Sequence, residues 1–212
     1  MKKFLAAALS LLFVLALPLS ALAEKATLPG GTIEGDTYTN TDGGFSFTAP
    51  AGWTYDTAEA LAKTNGVAEA DLLNEEFVAG LLAEGKDVTV MNVSDGGNGI
   101  PCSITVTCKA IDEETAAAIA EMGEEAFLED SLEMSDASFS GNGVTVKNMK
   151  AGSATFLGKK APMVEFTLKF ALVISRQVNM VICVRGDRIY TVVVVSKGDG
   201  LQYLDLFQEC AA

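Results

Sequence analysis

A chain of 212 residues with 28 acidic and 15 basic side chains carries a net charge of −13 and has no histidine. The missing imidazole excludes Ser-His and Cys-His nucleophile activation, histidine-ligated zinc and general-base work by imidazole near neutral pH. The negative balance sets the chain against nucleic acid and anionic membrane surfaces as partners, and its plain meaning is solubility.

Residues 1–23 read as a secretory signal peptide. Met1-Lys2-Lys3 supplies the charged start, Phe4 to Leu17 the apolar middle and Ala21-Leu22-Ala23 the cleavage site. The apolar run is shorter than the roughly 20 residues that span a bilayer. No cysteine follows the cleavage site, so a lipid anchor is not expected. Cleavage removes Lys2 and Lys3 and takes the net charge from −13 to −15. The expected product is secreted, extracellular or periplasmic, without a membrane association of its own. Its length suits one domain with a sizeable core.

Residues 24–43 are rich in Gly, Thr and Asp, contain Pro29 and show little apolar periodicity. They predict a flexible tether, with a single domain over 44–212. Gly44-Phe45-Ser46-Phe47-Thr48 alternates as a short strand before Pro50. Asp56, with Glu59 three residues on, predicts a capped helix that Asn65-Gly66 ends. From about Ala68 to Glu84, Leu72, Leu73, Phe77, Leu81 and Leu82 share a helical face.

Asp87–Val93 and Ser103–Ala110 predict two strands. In the second, Ile104, Val106, Cys108 and Ala110 face one way and Ser103, Thr105, Thr107 and Lys109 the other. Asp112 caps a helix whose apolar face is Ile119, Met122, Ala126 and Phe127. Beyond it the chain turns to strands. Asn142-Gly143, between Phe139 and Val144, is a hairpin pair, and Ser153 to Leu157 extends that meander. Even positions from Val164 to Ile174 form a core face, and Val178 to Val184 continues similarly. Gly186-Asp187 turns the chain into Ile189–Val195, apolar on both faces as a central strand covered on both sides would be. Asp199-Gly200 opens a closing helix with Leu201, Leu204 and Phe207 turned inward. The order predicts an α+β fold, a central and largely antiparallel β-sheet flanked by helices in an α/β/α sandwich.

The run Tyr38 to Trp53, with Gly44-Phe45-Ser46-Phe47 leading to Pro50-Ala51-Gly52-Trp53, resembles the opening of the PsbP/Mog1-like superfamily, which includes bacterial exported relatives of the DcrB type. The turn from Arg185 to Tyr190, with its hydrophobic strand and closing helix, resembles that family's end. The resemblance implies an antiparallel sheet sandwiched by helices over residues 36–210, and partner binding rather than catalysis. The metal-binding histidines of plant relatives have no counterpart here.

Trp53, the single tryptophan, is a candidate either for ligand stacking or for packing at one end of the sheet. Cys102, Cys108, Cys183 and Cys210 are candidate disulfide cysteines, since export permits bridges. Cys102 and Cys108 lie about 20 Å apart along one strand and should not pair. This leaves Cys102 with Cys183 and Cys108 with Cys210, or Cys102 with Cys210 and Cys108 with Cys183, or buried thiols that do not bond. Arg185-Gly186-Asp187 spells an adhesion tripeptide but reads as a tight hairpin. A calcium loop at Asn40, Asp42 and Gly43 fails because Tyr38 and Ala49 occupy the first and twelfth positions, while Asp95 and Asn98 are too few ligands alone. The glutamate pairs 75–76, 113–114 and 124–125 point in different directions on their helices. No catalytic, metal or cofactor-binding residue is assigned, and no cofactor is expected. The function expected is an exported, non-catalytic binding or accessory module for an unknown protein or small ligand. The alternatives are a carboxylate-based hydrolase and a carrier of a small apolar ligand in a closed cavity.

Overall fold

Strand alternation produces two antiparallel sheets in the computed structural model, which describes residues 26–97, 99–133, 144–170 and 174–210. Three strands, β1 (Ala26–Leu28), β2 (Gly31–Glu34) and β3 (Thr37–Asn40), stand where a tether was expected. They pair in a meander with β4 (Phe45–Thr48). Leu28, Ile33 and Tyr38 are buried, as are Phe45 and Phe47 of β4. Each strand before β4 is too short to carry more than one or two inward side chains, so no period shows in the sequence.

The larger sheet has seven strands. These are β5 (Thr54–Tyr55), β6 (Val88–Ser94), β7 (Ser103–Ala110), β8 (Val144–Phe156), β9 (Lys159–Phe170), β10 (Ile174–Arg185) and β11 (Arg188–Ser196). Their order is β5-β6-β7-β11-β10-β9-β8. The central position falls to β11, and Ile189, Tyr190, Val192, Val193, Val194 and Val195 are all buried. Gly186, at φ +59°, makes the β10–β11 hairpin, with Arg185 opposite Arg188. The apolar run expected from Val164 to Ile174 is divided: β9 ends at Phe170 and β10 begins at Ile174. The expected turn at Asn142-Gly143, with Phe139, lies outside the described residues.

Helices break where the sequence offers the backbone a competing partner. The first helix, α1 (Ala58–Asn65), is capped by Thr57, whose hydroxyl accepts the Ala60 N–H, and not by Asp56. Asp56 instead accepts a hydrogen bond from Asn92 at 2.9 Å. The stretch from Ala68 to Glu84 is two helices, α2 (Glu69–Leu72) and α3 (Glu75–Ala83), because Asn74 accepts the Phe77 N–H and starts the second. Asp112 caps α4 (Glu113–Met122) as expected, and Gly123, at φ +83°, separates it from α5 (Glu124–Glu133). The closing helix is a short 3-10 turn, Leu201–Leu206, followed by β12 (Phe207–Glu209), which joins the small sheet beside β4.

The fold is therefore α+β, with a central antiparallel sheet covered on both faces. On one face Ile119 of α4 and Phe127 and Leu128 of α5 pack with Val164, Phe166, Val178 and Met180. On the other, α1–α3 share the cover with the small sheet, an element absent from the expected sandwich. The aromatic rings of that sheet seal the join. Phe47 and Phe207 lie 4.7 Å apart between centroids, and Phe45 meets Tyr190 edge-on at 5.7 Å.

One side chain completes the edge of the large sheet. The short β5 reaches β6 only at Val93 and Ser94, which leaves Thr89 without a strand on that side. Asn65, the last residue of α1, fills the gap: its Oδ1 accepts the Thr89 N–H at 2.8 Å and its Nδ2 donates to the Thr89 carbonyl at 3.0 Å. Replacing Asn65 with Ala is expected to lower unfolding free energy by roughly 1–3 kcal/mol, since two backbone groups lose their partners. The midpoint of urea denaturation measures it, and an unchanged midpoint would mean that water serves Thr89 equally well.

Candidate functional site

The packing of α2 and α3 against the sheets leaves a cleft of about 480 Å³ between these helices, the β1–β3 edge of the small sheet and the β6–β7–β11 face of the large one. Its helical wall is Leu72, Val78 and Leu82, the last two a helical turn apart on α3. The opposite wall is Val88 and Val90 of β6, with Leu28 at one side. A bulge between Thr89 and Met91 turns both Val90 and Met91 into the core, which keeps this wall apolar.

The other end of the cleft is polar. Arg188, Tyr190 and Cys108 share one face of the large sheet, Tyr190 lying opposite Cys108 in the register. Arg188 Nη1 donates to Asp42 Oδ2 at 2.9 Å, and its Nε lies 3.9 Å from Asp187. The Tyr190 hydroxyl sits beside both the Arg188 guanidinium and the Cys108 thiol, and each acts on its ionisation. Burial pushes the Cys108 thiol up to about 11 and raises the Tyr190 phenol as well, so both stay protonated at neutral pH. Asn40 is spent on the fold: it donates to the Tyr38 hydroxyl at 2.9 Å and accepts the Gly43 N–H at 2.7 Å.

Of the candidate cysteines and the tryptophan, only Cys108 lines this cleft, together with Asn40 and Asp42 of the failed calcium pattern. Trp53 is half-buried and packs on Tyr203 of the 3-10 turn, with ring centroids 5.1 Å apart. All four cysteines are free thiols. Tyr190 separates Cys108 from Cys183 in the register, so the two are a double strand spacing apart, about 9.6 Å, beyond the ~7 Å that a bridge tolerates. Cys102 lies at the opposite end of the sheet. Its neighbour Ser103 faces Val195, about 17 Å along β11 from the Tyr190 row. Cys210 lies at the Cys183 end, next to Glu209, which pairs with Arg185. Both disulfide patterns required Cys102 to reach Cys183 or Cys210, so neither forms.

Asp95 closes its own loop, accepting the N–H groups of Gly97 and Cys102 at 3.0 Å each, while Asn98 lies outside the described residues. Asp42 belongs to Arg188. Of the paired glutamates, Glu75 sits at the cleft and Glu125 pairs with Lys160 at 3.0 Å. Among the described residues no group of three or more acidic or cysteine side chains could hold a metal ion. A second, polar depression of about 460 Å³ lies over β9 and β10, where Gln177 donates to Glu165 at 2.7 Å. Asn179 at its inner side leaves Oδ1 without a partner against Gly200, where a Cβ would come within 2.8 Å.

No family model matches the chain, and no curated protein matches it. Among solved structures it is similar to cyanobacterial PsbP (CyanoP) from Synechocystis sp. PCC 6803, with 12% sequence identity and a TM-score of 0.43, over 91% of this chain and 98% of that one. No helix among the described residues is long and apolar enough to cross a membrane.

The protonated state of Cys108 has a direct readout. Four thiols are expected to titrate in concentrated guanidinium without reductant. In the folded protein, alkylation of Cys108 should be slow at neutral pH and rise about tenfold per pH unit toward 11. Fewer than four thiols, or fast and pH-independent alkylation followed by peptide mapping, would contradict the structure.

Proposed function

We propose that the chain is an exported, non-catalytic binding module whose site is the cleft beneath α2 and α3. The observation that carries this reading is the convergence of apolar walls from three elements on one hydrogen-bonded polar end, within the 300–1,000 Å³ usual for small-molecule sites. The groups at that end are arranged for recognition. Cys108 is held as a thiol, Tyr190 as a phenol, and Arg188 and Asp42 hold each other. A carboxylate hydrolase needs two acids poised across the substrate, whereas Asp42 is tied to Arg188 and Glu75 is exposed.

The mouth of the cleft also favours binding. Leu73, between α2 and α3, lines it while remaining 39% exposed, and Phe77 on α3 is 38% exposed. Apolar side chains left in water beside a cleft mark a contact surface. The resemblance of the 38–53 segment to the PsbP/Mog1-like superfamily, whose members bind partners, points the same way. Export rests on the signal-peptide pattern of residues 1–23.

Two measurements test the reading. The neutral fluorophore N-phenyl-1-naphthylamine should bind the mature protein saturably, and Leu73→Asp should weaken it about tenfold or more by placing a charge on the apolar rim. A protein that gives no saturable signal would overturn the cleft as the site. N-terminal sequencing of protein recovered outside the cytoplasm should begin at Glu24, and an intact Met1 there would overturn processed export.

A further inference from the structure

We infer that the cleft takes an uncharged ligand, an apolar body ending in one neutral hydrogen-bonding group such as an alcohol, ketone or amide. This rests on the cleft being the binding site. The charges at the polar end are already matched. Arg188 is the cation of the lining, and Asp42 holds it at 2.9 Å with Asp187 a further 3.9 Å away. An anionic head brought to Arg188 meets the repulsion of two carboxylates already beside it. A cationic head meets Arg188 itself. Either way a charged head gives up its water at a polar end whose ion pair is already made and gains no unpaired counter-charge there, which is costlier than seating a neutral group.

The long-range field points in the same direction for anions. The mature chain, at −15 after loss of Lys2 and Lys3, repels anionic amphiphiles before they reach the mouth. Inside, Leu72, Val78, Leu82, Val88 and Val90 offer no partner to a charge anywhere along the ligand's body. The polar end nevertheless has capacity for a neutral head. A guanidinium carries five N–H donors in a planar fork. Asp42 takes one on Nη1, so donors remain for a carbonyl or hydroxyl oxygen without opening the ion pair.

Three probes with one chain length and three head charges decide the matter. Mature protein is titrated calorimetrically with 1-decanol, decanoate and decylammonium, each below its micellar concentration. Decanol should bind about tenfold or more tightly than either ion. Asp42 is largely exposed, so Asp42→Asn should fold, as a thermal melt checks, and it leaves Arg188 only the more distant Asp187. In that variant the affinity for decanoate relative to decanol should rise about tenfold. Decanoate or decylammonium binding the unaltered protein as tightly as decanol, with Leu73→Asp weakening it, overturns the neutral-ligand inference and leaves the cleft standing. An unchanged preference in Asp42→Asn likewise overturns the inference alone. If no probe binds, or Leu73→Asp weakens none, the cleft reading falls with it.

Discussion

Val192, Val193, Val194 and Val195 are buried in succession along β11, which means that successive side chains enter opposite faces of the sheet and find cover on both. That two-sided burial is the constraint from which the architecture follows. A strand of this kind belongs in the middle, and with three strands on each side it sits there. Both faces then need lids. The α4–α5 pair closes one, packing on Val164, Phe166 and Met180. The other face is wider than α1–α3 can cover, and the small sheet takes the remaining area with Tyr38, Phe45, Phe47 and Phe207.

The cleft is a product of that shared cover. Helices α2 and α3 and the edge of the small sheet leave a gap between them over the large sheet. The gap lies over the start of β11, so its lining combines aliphatic residues of α3 and β6 with the polar residues that close the β10–β11 hairpin. The same row of the sheet sets Cys108, Tyr190 and Cys183 side by side on three strands. Burial there keeps the thiol and the phenol neutral, which suits a surface that holds a molecule rather than transforms one.

How much of this was readable in the residues depends on how far apart the cooperating parts lie. The alternation in Ser103–Ala110 and the unbroken apolar run of Ile189–Val195 are local and strong, and both strands appear where the pattern places them. Strands β1 to β3 are built from threonines and turn residues with one or two inward side chains each, so the same pattern reads as a loop. Leu201, Leu204 and Phe207 are spaced by threes, which fits a 3-10 turn of three residues per turn as well as an α-helix, and the chain takes the former before re-entering a sheet. Asn74 and Gly123 each cut a continuous apolar stripe because an amide side chain or a left-handed backbone outweighs periodicity. The polar end of the cleft was beyond local reading, since Asp42 and Arg188 meet across most of the chain. Cys108 gave a signal as an inward residue of β7, while Asp42 stood out only in a calcium pattern that fails.

The Asn65 amide standing in for a missing strand has a consequence for how this molecule behaves in company. Bare N–H and C=O groups on a sheet margin are a template on which a neighbouring polypeptide can add itself and continue the ladder. A side chain that terminates the ladder has no far edge of its own to offer. At Thr89 the margin ends in an amide belonging to a helix, so growth by strand addition is blocked at that point of the large sheet, and its other margin, β8, keeps the edge that such growth would need.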